Sequence, residues 1–276
     1  MSRVRTGPVV GLTAQLVLLA VLAATVGLDV AGWLAGAGYG LVLCAVLARG
    51  VRRHGGDRLG PADRVTLTRA VLAGGVTALV VDAVDRPAPL AVLVPLTVVA
   101  LALDAVDGWV ARRTGTASAL GARFDMEVDA FLILVLSLHV APVVGPWALA
   151  IGGMRYAFVA ASWVLPWMRG TLPPRYWRKV VAAAQGVLLL TAVADVLPGP
   201  VTVVLVAVSL ALLVESFGHD VGWLWWHRPA RAATALPAPQ PVPAPQPVPA
   251  PQSVAGGRSR REVAVSERPL VAHQPV

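Results

Sequence analysis

Eight apolar runs separated by charged loops constrain this chain more than any other feature. They fall at about 9–27, 33–48, 65–83, 88–107, 125–142, 146–166, 180–197 and 200–217. Several approach the roughly 20 residues that cross a bilayer as α-helix. Composition agrees: the chain is 57% hydrophobic and 14% charged, with a mean hydropathy of +0.70. A soluble domain of this size needs far more polar residues to cover its surface. The expected fold class is all-α, a polytopic integral membrane protein.

Charge sets the expected orientation. Basic residues cluster at Arg3 and Arg5, after the second run (Arg49, Arg52, Arg53, Arg58, Arg64), and after the fourth (Arg112, Arg113, Arg123). They cluster again after the sixth (Arg169, Arg175, Arg178, Lys179) and the eighth (Arg228, Arg231). The alternate loops are short and hold a single basic residue, Arg86. This alternation predicts that both termini and every long loop face the cytoplasm of a multi-pass cell-membrane protein. The net charge of +8 then matches loops lying beside anionic membrane lipids. Nucleic acid is excluded as a partner, because no soluble basic domain exists to bind it. The first run is too long for a usual signal core and a second follows at once, so it reads as a span. The one cysteine, Cys44, lies within an apolar run and reads as a packing residue.

Beyond the last run, "GWLWWHR" at 222–228 reads as an aromatic belt at the membrane interface. From Pro229 onward, "PAPQPVPAPQPVPAPQ" and "GGRSRRE" offer nothing that buries a core, and a disordered tail of polyproline II character is expected.

The segment "DAVDGWVARRTGTASALGARFDMEVD" then stands out, because it holds four aspartates in a chain with only 15 acidic residues. Asp104 and Asp107 close the fourth run; Asp125 and Asp129 open the fifth, so both pairs sit at the cytoplasmic edge of the membrane. Spacings of three and four place each pair on one helix face, and Gly115 and Gly121 supply the bend between the helices. If the faces meet, four carboxylates converge and need cations to relieve their repulsion. Two divalent ions balance four negative charges, and hard oxygen ligands favour Mg²⁺ or Mn²⁺. Glu127 points to the other side of the helix and is left out of the set. The bland alternative pairs these acids with Arg112, Arg113 and Arg123. The complete spacing, D-x2-D-G-x2-A-R-x8-G-x3-D-x3-D, argues against it. Asp104, Asp107, Gly108, Ala111, Arg112, Gly121, Asp125 and Asp129 fill every fixed position. At ordinary residue frequencies such a coincidence occurs on the order of once in a billion starting points.

That spacing resembles the motif of the CDP-alcohol phosphatidyltransferases, with no departures. The resemblance covers roughly residues 56–220 and implies a six-helix membrane core, here preceded by a two-helix extension (1–55). The aromatic segment and tail (221–276) lie outside it. Members of the family transfer a phosphatidyl or related phospho-alcohol group from a CDP-activated lipid donor to an acceptor hydroxyl, releasing CMP, and often form homodimers. The resemblance implies two Mg²⁺ or Mn²⁺ ions held by Asp104, Asp107, Asp125 and Asp129, with Asp129 as general base. It also implies a CDP pocket at Gly108, Ala111, Arg112 and Gly121.

A second family element, N-x2-T-x2-R, is matched by "DRVTLTR" with Thr66 and Arg69 in place and Asp63 where asparagine is usual. The resemblance puts Thr66 and Arg69 in the CDP site, and the acid at 63 puts its own nucleotide contact in doubt. Arg155, deep in the sixth run, is expected to meet an acceptor or donor phosphate, since a charge at that depth usually faces a polar cavity. Against a phosphorylated acceptor, "RKVVAAAQ" at 178–185 keeps only Lys179 and Gln185 of the G-K-x-K-T-x2-Q found in glycerophosphate-using members. Glu215 and His219 share metal-ligand spacing but read as interfacial.

Two rival functions remain at this level. An intramembrane Mg²⁺-dependent prenyltransferase also uses aspartate-rich motifs, but on helices far apart in sequence. A cation transporter wants its acids near the bilayer midplane, not at its edge.

Overall fold

The computed structural model describes the backbone of residues 6–54, 61–114 and 119–228, and the side chains of 7–49, 64–106, 113 and 121–228. Within these the chain is all-helical: α1 (Thr6–Val26), α2 (Val30–His54), α3 (Pro61–Asp82), α4 (Leu90–Thr114), α5 (Ala119–Val144), α6 (Leu149–Val164), α7 (Tyr176–Val193) and α8 (Gly199–Trp226). Short 3-10 turns at Pro146–Ala148 and Pro166–Arg169 bracket α6. Each apolar run corresponds to one helix. Five helices (α1, α2, α3, α5 and α8) are long and apolar enough to cross a membrane. The chain is a polytopic membrane protein. The expected bend at Gly115 and the proline-rich tail lie outside the described residues.

Helix ends differ from the run boundaries where charge interrupts hydropathy without interrupting helix. α4 continues past Asp107 to Thr114, and α5 begins at Ala119, ahead of Asp125. Both halves of the aspartate motif therefore sit on regular helix. α8 likewise continues through the tryptophan-rich segment to Trp226. There Trp167 meets Trp225 edge-on at 5.3 Å, and the Arg228 guanidinium lies 4.0 Å over the Trp225 ring.

α3 is the central helix. It packs against α1, α2, α4 and α5 and is buried along most of its length. The outer helices instead expose valines in rows, such as Val17 and Val21 on α1 and Val204 and Val208 on α8. Such faces suit hydrocarbon, which makes no demand for hydrogen bonds that an apolar side chain fails to meet.

Two contacts fasten α1 and α2 to this core. At one end of α3 the buried Asp82 carboxylate accepts the backbone N–H of Asp29, 2.7 Å away, at the start of α2, and it is ion-paired with Arg86. Halfway along, the chain crosses α3 at Gly74. A Cβ there would lie 2.5 Å from the Gln15 amide of α1 and 2.6 Å from the Tyr39 ring of α2. The missing side chain lets Tyr39 reach over α3 and stack on Phe131 of α5, centroid to centroid 4.8 Å.

Candidate active site

At the end of the bundle where α3 begins, α4 ends and α5 begins, one arginine organises the acids. Thr66 and Arg69 lie three residues apart on α3, share a face, and are both buried. The Arg69 side chain is only 1% exposed, so its charge is sustained only by partners. It has them. Its Nε donates to the carbonyl of Ala100 on α4 at 3.3 Å, and its Nη1 lies 2.9 Å from Asp104 on α4. Nη1 also bonds Asp125 on α5, and Nη2 bonds Asp129 one turn further along that helix. The fork geometry of guanidinium allows this: several N–H groups in one plane point at separate oxygens, which an ammonium cannot imitate.

The three carboxylates are half-buried, and each offers one oxygen within 4.8 Å of the others. Closely spaced hard oxygens of this kind suit a divalent cation. The spacing D-x3-D on α5 is what puts Asp125 and Asp129 on one side of that helix, and α4 brings Asp104 to the same level.

The sequence profile of the CDP-alcohol phosphatidyltransferase family matches residues 59–215, more than half of the chain. The protein belongs to the CDP-alcohol phosphatidyltransferase family. No curated protein and no solved structure matches it. The match opens just before α3 and closes within α8, so the acid cluster lies inside it and α1 and most of α2 lie outside. Family membership makes the protein a transferase acting on a CDP-alcohol donor.

The remaining motif positions fall into two groups. Asp107, Gly108, Ala111 and Arg112 lie on the last turns of α4, with side chains outside the described residues. Gly121 is half-buried in the first turn of α5, close in sequence to Asp125.

Arg155 is placed elsewhere. Its Nη2 lies 2.5 Å from Glu127 Oε1, across the α5–α6 contact and away from the face that bears Asp125 and Asp129. Depth in the sixth run is the sequence ground for expecting a phosphate at Arg155; Glu127, which points away from the aspartates, supplies it with a counter-charge. Near the other helices, Glu215 accepts a hydrogen bond from the Trp177 indole at 2.6 Å. Asp220 lies 3.4 Å from Arg178 and 3.8 Å from Arg175. The indole contact suits the interfacial reading of Glu215, whereas Asp220 is buried beside the two arginines.

Sequence reasoning missed one participant and gave another a different role. The Ala100 carbonyl is backbone, and no residue type announces it. Arg69 was visible in its motif, but as a nucleotide contact; nothing in its own helix says that three aspartates surround it.

Proposed function

We propose that this protein transfers a phosphatidyl group from CDP-diacylglycerol to the hydroxyl of a small or lipid acceptor, releasing CMP, as a step in phospholipid synthesis. The observation that carries the reading is the convergence of Asp104, Asp125 and Asp129 at one end of the bundle, within the span matched by the family.

In this reading Asp104, Asp107 and Asp125 hold two Mg²⁺ or Mn²⁺ ions, with Asp129 sharing in the set. Bound divalent ions supply positive charge against the diphosphate and the departing CMP. The chain's own residues do the rest. Gly108 and Gly121 let backbone approach the diphosphate closely, beside Ala111, and Arg112 offers it a forked pair of donors. Thr66, buried on the face of α3 that carries Arg69, lines the same pocket. Asp129 takes the proton of the acceptor hydroxyl as that oxygen attacks the phosphatidyl phosphorus. The new P–O bond forms as the bond to the CMP oxygen breaks, and CMP leaves with that electron pair.

The basic loops and the position of the cluster at a helix end support an active site on the cytoplasmic side of the cell membrane, with both termini there too. Residues 1–55 then form an extension packed on the catalytic core (56–220), and the remainder (221–276) an interfacial helix end and a tail.

The test is CMP release. Purified protein in lipid nanodiscs with Mn²⁺ and CDP-diacylglycerol should release CMP only when an acceptor is supplied from a panel of alcohols, polyol phosphates and lipids. An enzyme that consumes a prenyl diphosphate, or a protein that moves Mn²⁺ without consuming the CDP-lipid, would overturn the proposal.

A further inference from the structure

We infer that Arg69 is a resident cation of the site: a positioning residue whose single guanidinium gathers Asp104, Asp125 and Asp129 and holds them convergent whether or not a divalent ion is bound. The inference rests on the reading of these aspartates as metal ligands and assigns Arg69 a role apart from nucleotide contact.

Three observations carry it. The first is connectivity. Arg69 stands on α3, which packs against both α4 and α5. Its side chain joins the two, through Ala100 and Asp104 on α4 and through Asp125 and Asp129 on α5. The second is burial. A guanidinium 1% exposed has no water to fall back on, so its position is dictated by those acids. The third is charge. Carboxylates whose oxygens lie within 4.8 Å repel strongly in a half-buried site, and one positive charge placed among them opposes every pairwise repulsion at once.

The consequence reaches the chemistry. With Asp107 counted, four carboxylates against two divalent ions alone leave a neutral site. With Arg69 included they leave one positive charge, which favours an anionic diphosphate. The geometry also explains the residue type. The N–H groups used point at a carbonyl and at carboxylates on two helices, so lysine keeps the charge and loses the span.

The test begins without metal. Full-length protein in nanodiscs with EDTA is compared as wild type, Arg69→Gln, the double variant Asp104→Asn/Asp129→Asn, and the triple variant that combines all three changes. Arg69→Gln should lower the melting temperature by about 5 °C or more, because it leaves acids crowded without their cation. The two Asp→Asn changes should lower it when Arg69 is present, yet raise it by more than half of that loss when Arg69 is Gln. This reversal of sign is not produced by an arginine that merely fills space. Saturating Mn²⁺ should then raise the melting temperature of Arg69→Gln more than that of wild type, since the ion takes over the missing charge. Arg69→Lys should fall between wild type and Arg69→Gln.

The inference is overturned if Arg69→Gln melts like wild type, or if the triple variant is no more stable than Arg69→Gln. It is equally overturned if neither of these folds, because neutralised acids need no cation. Failure of the metal reading looks different: Mn²⁺ then shifts neither wild type nor Arg69→Gln, while the rescue in EDTA still occurs.

Discussion

Arg69 on α3 is ion-paired with Asp129 on α5, sixty residues away in sequence, and the pair sits at the level where Asp104 arrives on α4. The proposed general base is therefore not a solitary carboxylate at a membrane edge. It is held in orientation by a buried cation, beside the oxygens proposed to bind metal. Orientation of this kind places a base within reach of the proton it removes.

That arrangement separates the roles of the four aspartates experimentally. Asp104→Asn, Asp107→Asn and Asp125→Asn should each abolish CMP release and weaken Mn²⁺ binding, because each removes a charge that balances the ions. Asp129→Asn should cut turnover by about 10²–10⁴-fold while losing less Mn²⁺ affinity, since loss of a general base acts on the chemical step. Initial rates and Mn²⁺ titrations of the four variants check this. A variant at 129 that keeps more than a few percent of the wild-type rate removes it from the role of base.

Much of this was legible in sequence, for identifiable reasons. A bilayer imposes a long, continuous apolar signal, so each of the eight runs found its helix. The aspartate spacings are local, and periodicity on one helix is enough to say which acids share a face. What could not be read are relationships between helices. Arg69 and Asp129 meet because α3 is the hub of the packing, and Arg155 and Glu127 meet because α6 lies along α5. Helix also outruns the apolar signal: Arg123 and Asp125 lower it at the start of α5, yet each is acceptable in helix, so the helix starts earlier, at Ala119.

Arg155→Ala should change the KM for donor and acceptor by less than about two-fold, and Glu127→Ala should do the same. The pair is half-exposed, so its coupling is expected to be no more than about 1 kcal/mol. A double-mutant thermal-stability cycle measures that coupling, and substrate titrations measure the KM values. A large rise in the KM of one substrate in Arg155→Ala alone would return Arg155 to the phosphate site.

Gly74→Ala should destabilise the protein without touching the acid cluster. The new methyl would lie 2.5 Å from the Gln15 amide and 2.6 Å from the Tyr39 ring. Gln15 has rotamers to spare, but the Tyr39 ring is stacked on Phe131 and moves only with loss of that contact. Overpacking of this kind costs about 1–3 kcal/mol, read as a lower melting temperature. Val at the same position should cost more. If Gly74→Ala melts like wild type, α1 and α2 do not fit onto α3 by way of this crossing.

The last prediction concerns which way the bundle faces. Basic residues gather in alternate loops, and the loop joining α3 to α4 holds only Arg86, whose charge is met by the buried Asp82 four residues earlier. A neutralised arginine does not argue for the cytoplasmic side, whereas the arginines from 49 to 64 have every reason to stay there. In a Cys44→Ser background, Asp85→Cys should be labelled by a membrane-impermeant maleimide added to intact cells, and Gly55→Cys should be labelled only after lysis. The aspartate cluster lies at the opposite end of α3 from residue 85, so this result would also put the active site on the cytoplasmic face. The reverse pattern would place the cluster outside, away from the cellular supply of CTP-derived donors, and the proposed reaction would fail with it.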